Sequence, residues 1–323
     1  MTIKHQSKDH WAGIDERGSI IGMKILFFVY RLLGRYLLWI PLFPVVFYLY
    51  LTGKTGRVES RRFLTQVNQY NGINKKASFW QGLKHYCSFA NSAFDKIDAW
   101  LGKIDLKHIE YAGDTVFSKV VESKKGAILI GSHLGNLEVC RALSDGRYST
   151  PINVLTFTQN AEKFNRILQS VNNRVSVNLI EVSDISPGLA ISLKERVDAG
   201  EIIVIVGDRT SISTSGRVNY ANFLGRSAAF AQGPFILASI LECPVYWLFC
   251  LKEHGHYNVI FEHVADKLGV PRRNRDQALQ EIINVYAQRL SYYANLYPYQ
   301  WFNFFDFWQK DEHISRESKR SHQ

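Results

Sequence analysis

From residue 127 onward, short apolar runs alternate with helical stretches, and this alternation limits the available folds more than any other feature. The runs are AILIGS (127–132), INVLTF (152–157), VSVNLIEV (175–182), IIVIVGD (202–208), VYWLFCL (245–251) and YNVIFEHV (257–264). Five consecutive apolar residues, as in IIVIV, suit a strand covered on both faces, the arrangement of a parallel sheet between helices. Helices are expected near 136–144, 160–171, 187–199, 229–241 and 275–297. Gly200 stops one of them just before IIVIV. The last places Leu279, Ile282, Ile283, Tyr286, Leu290 and Tyr293 on one face and ends before Pro298. The reading is one α/β domain with a central, mostly parallel sheet flanked by helices.

A second feature lies upstream. Tyr36–Gly53, YLLWIPLFPVVFYLYLTG, holds 18 consecutive uncharged residues. As a helix it would reach about 27 Å, just short of a hydrocarbon core of about 30 Å. Tyr36 and Trp39 stand at one end and Tyr48 and Tyr50 near the other, as interfacial aromatics do. Pro41 and Pro44 are expected to interrupt it. The preceding GMKILFFVYRLLGR is amphipathic, with Lys24, Arg31 and Arg35 on one side. Basic residues flank both ends, so the charges give no orientation. The net charge is +10, of which residues 1–62 carry ten Lys/Arg against four Asp/Glu. Charge gathered beside the greasiest segment suits anionic lipid, whereas a nucleic-acid reader carries its basic patch on the folded body. No nucleic-acid partner is expected. The divisions are a polar tail (1–19), a membrane-anchoring helical segment (20–53), the α/β domain (54–309) and a second polar tail (310–323).

Four cysteines (87, 140, 243 and 250) form no C-x-x-C pair, which argues against a disulfide scaffold or zinc ribbon and fits a reducing compartment. His254, His256 and His263 lack an acidic or cysteine partner at ligand spacing, and no metal is expected. His85, His108 and Cys140 receive no assignment.

Chemistry concentrates in KKGAILIGSHLGNLEVCRAL (124–143). His133 follows a buried strand at its carboxyl end, where open α/β sheets bind ligands. Asn136 suits the cap of a helix starting at Leu137, and Glu138 falls in that helix's first turn. Because the chain reverses between them, Glu138 can accept a hydrogen bond from the imidazole and stabilise the imidazolium formed when His133 takes a proton. Gly135 removes bulk beside the histidine, and backbone amides at the helix start are expected to face a developing oxyanion. GSHLG is not the G-x-S-x-G of a hydrolase elbow, so the nucleophile would be the substrate's own oxygen.

Ser132-His133-Leu134-Gly135-Asn136-Leu137-Glu138 resembles the H-x-x-x-x-[DE] box of the lysophospholipid acyltransferase superfamily, and most of all the bacterial lipid A late acyltransferases. Further blocks agree in order. They are Gly207-Asp208-Arg209, then Phe223-Leu224-Gly225 with Ala228, Gly233 and Pro234, then Pro244-Val245, and Pro298-x-x-Trp301. Together they cover roughly residues 20–308. Ser132 and Leu137 stand where that family usually has Asn and Trp, and the C-terminal QWFNFFDFW departs from its basic ending.

The resemblance implies a glycerolipid-acyltransferase-like domain at the bacterial inner membrane, facing the cytoplasm. It would move a fatty acyl chain from an acyl carrier protein or CoA thioester to a hydroxyl of a lipid or saccharolipid, with His133 as base and Glu138 as its partner. Gly135, Asn136, Arg174, Asp208 and Arg209 would meet substrate, and no cofactor would be needed beyond the thioester. The basic run Arg272-Arg273-Asn274-Arg275 is either a charged helix start or a dock for an acidic acyl carrier protein. Tyr297–Trp308 reads as core or membrane-interface packing. A membrane-bound glycosyltransferase is the alternative enzyme, although the chain has no D-x-D; a non-catalytic scaffold is the third reading.

Overall fold

The computed structural model describes residues 20–100, 103–104, 108–112, 118–119, 121–137, 150–156, 177–182, 186–209 and 217–308. Three helices lead the chain: α1 (Ile20–Thr52), α2 (Lys54–Tyr70) and α3 (Phe79–Trp100). Strands β1 (Ile109–Ala112), β2 (Ala127–Gly131), β3 (Ile152–Thr156) and β4 (Val177–Glu181) follow, then α4 (Pro187–Asp198) and β5 (Ile202–Val206). The chain continues with β6 (Val218–Phe223), β7 (Arg226–Ala231), α5 (Gly233–Leu241), β8 (Val245–Glu253), β9 (His256–Ala265) and α6 (Arg275–Leu296). The expected helix at 160–171, and the expected helix at 136–144 beyond Leu137, lie outside the described residues.

Seven strands form one sheet in the order β1-β9-β8-β2-β5-β3-β4. Every neighbouring pair is parallel except β8 with β9, a hairpin that turns through Glu253–His256. The fold is therefore mixed α/β with a mostly parallel central sheet. Its central strands are apolar throughout because both faces are covered. Ile128, Ile130, Ile203 and Ile205 enter one core with Leu193 of α4, Phe235 of α5 and Leu290 of α6. Ala127, Leu129, Ile202 and Val204 enter the other, with Leu248 and Val259.

Two expectations need correction. The helix expected over 229–241 begins only at Gly233, and its first residues instead close a hairpin, β6 with β7. Ala228, Ala229 and Ala231 are good helix formers. However, Ala228 and Phe230 alternate into the core, and Pro234 marks the helix's first turn. The hairpin turn is Leu224-Gly225, with φ of 51° and 81°. Leu224 tolerates that left-handed backbone while fully buried, held by Ser291 Oγ at its N–H (3.1 Å) and by Gln66 Nε2 at its carbonyl (2.7 Å).

The second correction concerns the apolar segment. α1 runs through Pro41 and Pro44 and breaks instead at Gly34, whose φ of 72° lies outside the helical range. Among the described residues no single helix is long and apolar enough to cross a membrane. Leu37–Thr52 and Lys54–Tyr70 pass that test only as a pair, bent by 90°.

Candidate active site

The parallel register of β2 and β5 sets the site. Gly131 lies opposite Val206, and Gly207 N–H donates to the Gly131 carbonyl at 2.9 Å. The two strands therefore end side by side, and the residues two further along each, His133 and Asp208, meet although 75 residues apart. Tyr286 of α6 fastens the junction from below, its hydroxyl donating to the same Gly131 carbonyl at 2.7 Å.

Asp208 is wholly buried and accepts four hydrogen bonds. Oδ1 takes His133 Nδ1 (2.7 Å), and Oδ2 takes the His133 backbone N–H (2.8 Å), Trp301 Nε1 (3.1 Å) and Asn303 Nδ2 (3.1 Å). Burial pushes its carboxyl pKa up. The facing His133, with its ring and backbone N–H bonds, and the Arg209 guanidinium outweigh that and hold it below the usual value. Since an ionised carboxylate only accepts, His133 Nδ1 carries the proton, which leaves Nε2 an acceptor with no partner among the described residues. The imidazole is 27% exposed. Burial lowers its pKa, the Arg209 charge lowers it further, and Lys96 of α3 acts in the same direction against the opposing pull of Asp208. At neutral pH the ring is thus an oriented, uncharged base.

Arg209 is itself placed by this cluster. Its Nε donates to Asn303 Oδ1 (3.0 Å), and its guanidinium lies 5.8 Å from the Phe305 ring centroid. Burial brings its pKa down to about 10, so it stays charged at neutral pH.

The loop after His133 is fastened by its backbone. Leu134 N–H donates to Ser132 Oγ (3.2 Å), Gly135 N–H to the Gln300 carbonyl (2.8 Å) and Asn136 N–H to the Cys250 carbonyl (2.9 Å). Phe302 N–H donates to the His133 carbonyl at 3.0 Å. The amides of residues 133–136 are therefore committed within the protein; those of the helix expected to start at Leu137, which were to face an oxyanion, lie beyond that residue outside the described segment. Gly135 has φ of 79°, and a Cβ there would lie 1.8 Å from the Cys250 carbonyl oxygen. Its lack of a side chain admits β8 rather than opening space beside the histidine. Asn136 is buried, its Nδ2 donating to the Ser92 carbonyl of α3 at 3.1 Å.

Of the residues singled out in the sequence, His133, Gly135, Asn136, Asp208 and Arg209 come together here. Glu138 and Arg174 lie outside the described residues, and the imidazole nitrogen that Glu138 was expected to hold is taken by Asp208. Arg273 and Arg275 are exposed where α6 begins. His254 and His256 sit at the tip of the β8–β9 hairpin, and His263 Nε2 lies 3.1 Å from Asp266. Among the described residues no three His, Cys, Asp or Glu side chains are placed to hold a metal ion. Sequence reasoning missed Trp301 and Asn303 as ligands of the carboxylate. The available signal was Asn303 itself, an amide inside an otherwise aromatic run that would be buried only with partners.

No curated protein matches the chain. A family model described as bacterial lipid A biosynthesis acyltransferase matches residues 86–308, which takes in both strand ends of the site and the Trp301–Asn303 segment. With an acyltransferase family established, the glycosyltransferase alternative loses its ground. The chain belongs to the bacterial lipid A biosynthesis acyltransferases.

Proposed function

We propose that the protein is a membrane-associated O-acyltransferase of the bacterial inner membrane, its catalytic domain facing the cytoplasm. It moves a fatty acyl chain from an acyl carrier protein or CoA thioester to a hydroxyl of a lipid or saccharolipid acceptor. The observation that carries this reading is the His133–Asp208 pair, which leaves Nε2 of an uncharged, part-exposed imidazole free to accept a proton.

In this mechanism Nε2 removes the proton from the acceptor hydroxyl as its oxygen attacks the thioester carbonyl. The C–S bond of the tetrahedral intermediate then breaks, and the departing thiolate takes the proton back from the imidazolium. Ester and thiol are the products. Asp208 stabilises the transient cation without itself being protonated. Arg209 supplies positive charge for a developing oxyanion or a phosphate of either substrate, a role its fork of donors suits. Arg174 is a second candidate for a phosphate. Glu138, five residues beyond His133 in the sequence, remains the second carboxylate of the box and a candidate for a role in the same reaction. A thioester is already activated, so no cofactor takes part.

The test is transfer of labelled acyl chains in membranes. His133→Ala should reduce transfer by roughly 10²–10⁴-fold, the usual contribution of a general base, with the protein still folded and expressed. Glu138→Ala measured beside it separates a second required carboxylate from a dispensable one. Near-normal transfer by His133→Ala would end this mechanism.

A further inference from the structure

α1 and α3 lie antiparallel along their length. The Tyr30 hydroxyl donates to Asp98, Trp39 Nε1 donates to Asn91 Oδ1 (3.1 Å), and Tyr50 OH donates to the Phe79 carbonyl (3.0 Å). α3 is in turn fastened to the α/β body at three heights. Near its start His85 Nε2 meets the Trp301 carbonyl (2.9 Å), and midway the Ser92 carbonyl accepts from Asn136. Further on, Asp95 takes Lys252 Nζ at 2.8 Å. α1 is therefore an outer layer lying flat on the body.

One stripe of α1 faces inward. Leu38, Val46 and Tyr50 are buried and Leu42 half-buried, each four residues from the next. Apart from the half-buried Trp39 and Phe47, the rest of its surface from Leu37 to Leu51 is open, and all of it is uncharged. Leu37, Ile40, Phe43, Val45, Tyr48 and Leu51 are exposed, Ile40 by 72% and Tyr48 by 63%. At the end where α1 finishes and α3 starts, Trp80 is 69% exposed, and Lys54, Lys75 and Lys76 are exposed around it. An apolar face this continuous is abnormal for a surface in water, and the rim of lysines and a tryptophan matches the headgroup zone of an anionic bilayer.

We propose that α1 lies in the plane of a single leaflet, immersed by this outer face, and does not cross the membrane. A crossing α1 would have to leave α3, or draw Lys84, Asp95, Lys96 and Asp98 of α3 into hydrocarbon with it. Resting on the acyltransferase reading, the pose also names the acceptor's route. Phe89 of α3 is exposed and packs on Phe302 (ring centroids 5.4 Å), whose N–H holds the His133 carbonyl. In this pose an amphiphilic acceptor reaches His133 sideways from the leaflet, past Phe89 and Phe302, with its chains still in lipid.

The experiment uses the full chain in phosphatidylethanolamine–phosphatidylglycerol vesicles. An NBD label is attached at Leu37→Cys or Tyr48→Cys, and its depth is read by quenching from lipids brominated at defined positions. The unsubstituted chain gives the background from native cysteines. Positions 37 and 48 share a face but stand about 16 Å apart along the helix. An in-plane helix gives both labels the same shallow depth. A depth difference approaching that separation means a crossing helix and overturns the proposal. So does absence of quenching at both, including the case where the face is covered by a second copy of the chain. Because depth is read without turnover, the pose and the chemistry of His133 fail separately.

Discussion

Two histidines sit close to the same C-terminal segment, and their environments differ in one respect that decides what each can do. His85 is fully buried between Ser60 Oγ on Nδ1 (3.0 Å) and the Trp301 carbonyl on Nε2 (2.9 Å). The carbonyl can only accept, so Nε2 carries the proton and Nδ1 accepts from the serine; both nitrogens are spent. Burial drives its pKa down to about 4. His133 is also held neutral, but among the described residues only one nitrogen is committed, to a carboxylate that favours the imidazolium once it forms. Burial alone therefore does not distinguish a structural histidine from a chemical one. The number of nitrogens left over does.

The contrast can be tested most severely at Asp208. Asp208→Asn should lower acyl transfer by roughly 10²-fold or more, because Nδ1 loses the acceptor that fixes its proton. Thermal unfolding measured in parallel separates this from the cost of disturbing a buried group with four donors. If the variant folds and turns over normally, the two histidines are not as different as the geometry makes them.

The next effect belongs to His85 and should appear in stability rather than rate. Its folded pKa is depressed, so the stability it supports is complete above its unfolded value of about 6.5. That stability then falls as the pH drops toward 4. The span amounts to roughly 3 kcal/mol. Unfolding free energies across that range should lose this dependence in His85→Gln, while transfer per folded molecule at neutral pH changes little. A collapse of turnover without loss of stability would make His85 more than a brace.

The subtlest readout is at Arg209. Whatever Arg209→Gln does to the rate, the loss of a charge that helps to lower the His133 pKa should move the acid limb of the pH–rate profile upward. A limb that stays in place would assign the depression to burial alone.

The sheet and the position of His133 at a strand end were legible because their signals are local. A five-residue apolar run followed by Gly-Ser-His marks a buried strand and its exit, and α6 follows its apolar period closely. The partner of the base was not local. Glu138 was favoured for lying five residues away, whereas Asp208 arrives through the pairing of β2 with β5, which nothing within either strand announces. Asp208 and Arg209 were assigned to substrate at that strand end, whereas the Asp208 carboxylate is engaged by His133, Trp301 and Asn303. Gly135 was found for a similar reason and misread, since the obstacle it avoids, the Cys250 carbonyl, comes from β8. The β6–β7 hairpin was hidden by three alanines whose intrinsic preference points to helix.

The donors that complete the Asp208 site come from Trp301 and Asn303, near the end of the folded chain. During synthesis the sheet and the histidine loop emerge well before those donors clear the ribosome, so a nascent chain carries an unfinished and idle centre. α1, with its greasy outer face, is the first described element to appear. On the pose proposed above, the order of translation would bring the apolar face to its surface before the centre is complete.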